Sequence, residues 1–320
     1  NSGYNRYNFT FRDVTKFLKD KLTVDLSASY ILQDNKNMIA AGKYFNPLPA
    51  LYLFPRGDDF DNVRLYQRWD ESRNLYTQAW DYGSGDMSFQ NPYWIMNKMI
   101  NQTKKRRYML SANLKYDVTD WLDVTGRVKV DNADMDITEK RYAGTDTNFA
   151  GEKGMYSIIK RNDRQIYADA IANIDLTFAG DYHLSANVGA SLKDVRMDFM
   201  GWGGDLRKIP NFFSITNIST TNYKEREDGS HIQSQSIFAN VELAWKSMLY
   251  LTVTGRNDWE SALAFSKYKS FFYPSVGLSA VVSEMVDMPE WFSFLKVRGS
   301  YSAVGSSYAA YLTKPYYDYK

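Results

Sequence analysis

The twelve residues YHLSANVGASLK, at positions 182–193, alternate without a break. Tyr182, Leu184, Ala186, Val188, Ala190 and Leu192 fall on one side. His183, Ser185, Asn187, Gly189, Ser191 and Lys193 fall on the other. A period of two is the signature of an extended strand with one apolar and one wet face, and helical spacing cannot reproduce it. The run is longer than the roughly 5–6 residues usual for a strand in a globular protein. At about 3.3 Å per residue, eleven residues reach about 36 Å. Tilted by about 45°, such a strand covers the apolar band of about 25 Å in an outer-membrane barrel wall.

Upstream, Ile166, Ala168, Ala170, Ala172, Ile174, Leu176 and Phe178 repeat the pattern. Further runs start at Tyr7, Leu22, Tyr108, Leu122, Ile237, Leu249, Phe272 and Leu295, which makes ten strands in all. The connections alternate in length. Short turns fall at Thr119-Asp120-Trp121, Ala179-Gly180-Asp181 and Ser247-Met248, and slightly longer ones at 16–21 and 283–293. Long polar stretches at 33–106, 132–164, 194–235 and, shorter, 260–270 stand between them. That order is the one expected of short periplasmic turns and long extracellular loops. Aromatics cluster at the short-turn ends (Phe17, Trp121, Phe178, Tyr182, Trp245, Tyr250, Trp291, Phe292 and Phe294), where a membrane girdle belongs. Opposite the apolar faces stand Asp25, Lys115, Asp117, Asp123, Arg127, Lys129, Asp175, Glu242, Arg256, Lys296 and Arg298. So many charges need water or one another, because burial without a partner costs several kcal/mol each. The fold class expected is all-β, a transmembrane antiparallel β-barrel. A soluble all-β protein with one wet face is the competing reading.

The 320 residues carry 39 Lys+Arg and 37 Asp+Glu, a net charge of +2, so no bulk field favours nucleic acid. Cysteine is absent and only His183 and His231 are available, which argues against thiol chemistry, a His-rich metal site and most His-based acid–base schemes. No phosphate loop, nucleophile elbow or His-Glu-x-x-His motif occurs. The reading therefore contains no enzyme, no catalytic residue, no cofactor and no metal. Gly57–Asn62 is read as a solvated loop, and Gly201-Trp202-Gly203-Gly204-Asp205 as a turn or flexible ligand-facing loop. The basic run Lys104-Lys105-Arg106-Arg107 falls where a long loop enters a strand, either solvated or against headgroup phosphates.

Three stretches carry a family resemblance: LTVTGRNDWESAL at 251–263, SFFYPSVGLSAVVSEM at 270–285 and FLKVRGSYSAVGS at 294–306. With Asn91-Pro92-Tyr93-Trp94 and the Asp120-Trp121-Leu122 turn upstream, they resemble the barrel of SusC/RagA-type TonB-dependent outer-membrane transporters. The matching positions are Arg256, Asp258, Tyr273, Pro274, Ser275, Ser283, Glu284, Leu295, Lys296, Arg298, Ser300, Tyr301 and Gly305. The resemblance implies a 22-stranded barrel, of which these residues are a partial barrel domain of about ten strands. A plug, a TonB box and the C-terminal strands are expected outside residues 1–320. A ten-stranded sheet with open edges does not stand alone in lipid. Also implied are a Gram-negative outer membrane, import of glycans or peptides, and a SusD-like surface lipoprotein as lid. A passive porin-type channel and a surface adhesion or structural protein are the alternatives.

Substrate contact is expected from the longest loop, at Trp80, Tyr82 and Trp94. Trp69, Tyr93, Asp81, Asp86 and Asn91 lie close by in sequence. Flat rings bordered by carboxylates and amides suit sugar faces and peptide groups alike. The bland alternative is that these aromatics hold the loop to itself or to its lid.

Overall fold

Alternation becomes a wall of strands in the computed structural model, which describes residues 2–38, 42, 44–82, 89–221, 223–289 and 291–315. Strands β1 (Gly3–Phe17) and β2 (Leu22–Lys36) form the first hairpin. The connection after them holds helix α1 (Pro47–Tyr52), a small hairpin of β3 (Gln67–Asp70) and β4 (Leu75–Gln78), and helix α2 (Pro92–Lys98). The wall resumes with β5 (Met99–Thr119), β6 (Leu122–Tyr142), β7 (Gly154–Phe178) and β8 (Tyr182–Asp205). It ends with β9 (Lys224–Trp245), β10 (Leu249–Glu260), β11 (Ser270–Val281) and β12 (Lys296–Ser302). Ten strands make one antiparallel sheet in the order β1-β2-β5-β6-β7-β8-β9-β10-β11-β12. Each of the ten alternating runs lies in one of them.

The faces are as the alternation requires. On β5 the even positions 104–110 are exposed and the odd ones between them half-buried. The same face exposes Val188, Leu192 and, in register with Ala190 on β9, Ile237. Leu110, Leu114, Val124, Val128, Leu251, Val253, Val276, Leu278 and Val297 are exposed likewise. Ala186 is the exception, buried between its larger register partners Ile174 and Val241. An apolar face this broad is far beyond the few hundred Å² a soluble monomer tolerates and belongs against lipid. Phe178 and Tyr182 stack at 5.6 Å beside their turn, a piece of the aromatic girdle.

The opposite face is a lattice of paired polar groups. Arg127 grips Asp169, whose side chain has no accessible surface, with Nε 2.9 Å from Oδ1. Arg12 binds Asp25, Lys115 lies 3.0 Å from Asp117, and Asn173 donates to Asp123 at 2.8 Å. The Thr252 hydroxyl donates to Glu242 at 3.1 Å. Pairing within and across neighbouring strands meets the charges that desolvation would otherwise penalise.

The loops are shorter than the sequence predicts. Strands β5 and β6 run for 21 residues, β7 for 25, β8 for 24 and β9 for 22. The stretches 132–164 and 194–235 are therefore mostly strand, and only 143–153 and 206–223 connect them. Above the apolar band both faces are polar, so no hydrophobic alternation marks the strand, yet the backbone ladder continues. Side chains lace the outer surface there: Arg106 to Asp136 at 3.0 Å, Arg196 to Asp198 at 2.8 Å, and Asn162 to Asp134 at 2.7 Å. The His231 ring and the Gln233 amide each sit 2.7 Å from Asp194 Oδ2.

Two expectations are corrected by this extension. The run Lys104-Lys105-Arg106-Arg107 is interior to β5, so its members alternate between faces, and Arg106 and Arg107 are ion-paired to Asp136 and Asp131. The Gly201–Asp205 stretch is the end of β8 and not a flexible loop. A Cβ on Gly203 would stand 2.8 Å from the Ser157 hydroxyl on the paired strand, so close backbone approach explains the glycine.

Candidate functional site

The connections after β2, β6, β8 and β10 leave the same end of the sheet, and the first of them builds the most structure. Its centre is Asn91, which is fully buried. Its side-chain oxygen caps α2 by accepting from the Tyr93 and Trp94 amides at 2.8 and 3.4 Å. Its amide nitrogen donates to the carbonyls of Val63 and Ala79 at 2.9 and 3.1 Å, and its backbone N–H donates to Gln78 Oε1 at 2.6 Å. Proline at the first helical position completes the start signal. Side chain and backbone of Asn91 thus tie α2, the turn at 60–64 and the end of β4 together. Beside it Trp94, Ile95 and Met99 form a buried cluster against Tyr66 and Tyr142.

The three residues singled out for substrate contact separate here. Trp94 has no exposed surface, and its indole donates to the Thr145 hydroxyl at 3.0 Å, so it fastens this connection to the β6–β7 loop. Trp80 and Tyr82 are half-buried at the surface, with ring centroids 5.1 Å apart. The indole N–H of Trp80 is buried and meets no acceptor among the described residues. Burial, and then a hydrogen bond to Asp58, raises the pKa of the Tyr82 hydroxyl above the ordinary tyrosine value. Tyr93 flanks the site and Trp69 stacks edge-on with Tyr76 on the small hairpin, while Asp86 lies outside the described residues.

From Trp80 and Tyr82 a line of rings runs inward. Tyr82 meets Phe54 at 4.9 Å, Phe54 meets Phe60 at 5.2 Å, and Phe60 meets Tyr93 at 6.5 Å. Phe60 and Tyr93 then line a cavity of about 560 Å³ between α1, α2 and the ends of β5 and β6. Its walls are apolar (Phe45, Leu48, Leu51, Ile95, Met96 and Met99), with Asn37, Asn101, Glu139 and Arg141 as the polar groups. Arg141 is held by Glu139 and the Phe149 carbonyl and covers the Phe45 ring at 4.6 Å. A volume of several hundred Å³ with few convergent polar groups is the ordinary form of a ligand site. Sequence reasoning did not find this cavity. Its lining comes from four separate segments, and only Pro92 and Tyr93 in it belong to a motif.

A second connection, 206–223, is organised by buried Asn217, which accepts from the Lys208 and Ile209 amides and donates to the Ile209 and Phe212 carbonyls. Its Phe213 packs 4.9 Å from Tyr142, so Tyr142 touches both folded connections. The hydrophobic residues of these two connections divide accordingly. Phe54 and Phe213 are partly covered within the loops, while Leu48, Leu51, Leu53, Ile209 and Phe212 remain exposed. They are joined by Tyr52 at 86% and Leu65 at 72% exposure.

The resemblance-carrying residues fasten the last strands. Arg256 binds Asp258 at 2.6 Å and the Ser236 hydroxyl at 2.9 Å, and a Cβ on Gly305 would press on Phe271 at 3.2 Å.

The family model described as TonB dependent receptor-like, beta-barrel, matches residues 45–315. TonB-dependent receptor P26 of Formosa agariphila is 24% identical over 315 residues, which is 95% of this chain and 29% of that protein. Among solved structures, the RagAB peptide transporter superposes with a TM-score of 0.73 at 15% identity, over 94% of this chain and 33% of that one. The RagAB peptide importer in its open-open state gives 0.71 at 14% identity. The chain spans about a third or less of the length of each. These matches bear out the resemblance read from the motifs.

Proposed function

The chain belongs to the TonB-dependent receptor-like β-barrel family of the Gram-negative outer membrane, and on that premise we propose that it forms part of the wall and outer mouth of a nutrient importer of the SusC/RagA type. The observation that carries this reading is the folded layer of connections at one end of a lipid-facing sheet. A passive pore has no need of an ordered cap with a buried polar hub, whereas a gated importer does. Strands β1 and β12 leave two sheet edges, and lipid requires each to be paired. Closure as a 22-stranded barrel supplies those partners, with a plug that contacts TonB lying outside residues 1–320.

The substrate is a glycan or a peptide. Trp80 and Tyr82 meet it with the exposed parts of their rings. The ring line then leads to the 560 Å³ cavity. Its Met, Leu and Phe lining fits apolar side chains better than sugar hydroxyls, and the RagAB name, a peptide transporter, supports the same choice. Trp94 supports the site from beneath. A SusD-like surface lipoprotein covers Tyr52, Leu53, Leu65 and Phe212. Family membership points to transport without bond chemistry.

Uptake of labelled oligopeptides and oligosaccharides by cells making the full-length protein tests the reading, with and without TonB. The expected result is uptake that needs TonB and falls several-fold in a Trp80→Ala/Tyr82→Ala variant that still assembles. Uptake that persists without TonB would establish the passive channel instead.

A further inference from the structure

The cavity of about 560 Å³ beneath α1 and α2 takes its polar edge from the ends of β5 and β6. There Asn101 is in register with Glu139, and Met99 with Arg141. The lipid-facing series of β6 runs through Val124 and Val128, so the odd-numbered Glu139 and Arg141 stand on the opposite, inner face.

The polar groups at this edge are not equally free. Asn37 spends its side chain on the Asn101 backbone N–H at 2.9 Å and the Met96 carbonyl at 2.8 Å. Arg141 donates from both terminal nitrogens, to the Phe149 carbonyl at 2.8 Å and to Glu139 Oε2 at 3.1 Å, and lies over the Phe45 ring. Glu139 is only half used. Its Oε1 accepts no hydrogen bond among the described residues, and its side chain is 32% exposed against 19% for Arg141. The cavity therefore offers an open charged acceptor beside walls of Leu48, Leu51, Ile95 and Met96.

A carboxylate in such a place favours a donor that carries charge, because a charge-assisted hydrogen bond is roughly twice as strong as a neutral one. Sugar hydroxyls are neutral. A lysine carries its charge at the far end of a long stem. The first residue of a peptide carries it on Cα, next to its own side chain, so an N-terminal Leu, Met or Phe meets the acceptor and the apolar walls at one point.

We propose, resting on the peptide-importer reading above, that this cavity receives the N-terminal residue of a peptide, with its apolar side chain against Leu48, Leu51 and Met96 and its free α-ammonium on Glu139. The exposed Asn101 amide, beside Glu139, pairs with the first peptide group. Arg141 is a positioning residue that holds the carboxylate in place.

The affinity of the purified full-length protein for short fluorescent peptides that begin with Leu tests this. The free peptide is compared with its N-acetylated form, its C-terminally amidated form and an N-acetylated form with an internal Lys. Acetylation is expected to weaken binding by about tenfold or more, the weight of one hydrogen bond to a charged group. Amidation should leave it unchanged. Glu139→Gln should remove most of the difference between free and acetylated peptides, and Leu48→Trp, which fills the cavity from its rim, should weaken the free peptide toward its acetylated form. Equal affinity of the unsubstituted protein for free and acetylated peptides overturns the N-terminal site while peptide import stands. An acetylated Lys peptide that binds as tightly as the free one does the same, as does a Glu139→Gln variant that still discriminates. If that variant loses heat-modifiable migration on gels, Leu48→Trp decides, and undiminished affinity for the free peptide overturns the proposal. Binding of none of the peptides, with labelled oligosaccharides bound instead, removes the peptide reading and the site with it.

Discussion

Asn91 shows how much one side chain decides at the outer end of the molecule. It satisfies two helix amides and two carbonyls that have no other way to be paired once buried. Asn91→Ala removes the cap and orphans both carbonyls, so the connection is expected to loosen by about 2–4 kcal/mol. Hydrogen exchange should report this as faster exchange in α2 and at residues 60–64, with β7 and β8 unchanged. Equal protection in variant and parent would show that the hub is dispensable. Trp94 teaches the complementary lesson. In sequence it sits beside Tyr93 and Asn91 much as Trp80 sits beside Asp81 and Tyr82. Whether an indole faces solvent depends on what packs over it, and for Trp94 that is Thr145, fifty-one residues away.

At the scale of the strand, parity is the controlling fact, since a slip of one residue would invert every face. Val188 and Asn187 are neighbours with opposite surroundings, one exposed on the outer face and the other half-buried on the inner. Val188→Arg near the mid-plane is expected to cost about 2–4 kcal/mol in lipid, and Asn187→Arg much less. Urea titration of the full-length protein refolded into vesicles measures both, and equal costs would contradict the facing. The ten strands were legible because each crosses an apolar band. Their upper halves were not, because cross-strand partners such as Asp136 for Arg106 make a polar strand look like a loop in sequence.

For the whole molecule, the exposed loop hydrophobics set the expectation. Tyr52, Leu65 and Phe212 come from two different connections that meet through Tyr142, and a surface lipoprotein seated there would bury all three. A Tyr52→Ser/Leu65→Ser/Phe212→Ser variant should lose about tenfold or more of its co-purifying partner, in line with removal of interface anchors. Heat-modifiable migration should not change. Undiminished co-purification would place the lid elsewhere.

The sequence by itself determined the lipid-facing antiparallel sheet and its side-to-side polarity. Those features follow from the pleat and from the chemistry of residues two apart, which are local. The extent of the strands, the depth of Trp94 and the cavity were decided only by tertiary structure. Each depends on which residues from distant segments arrive at the same place, and on which charges find a partner there.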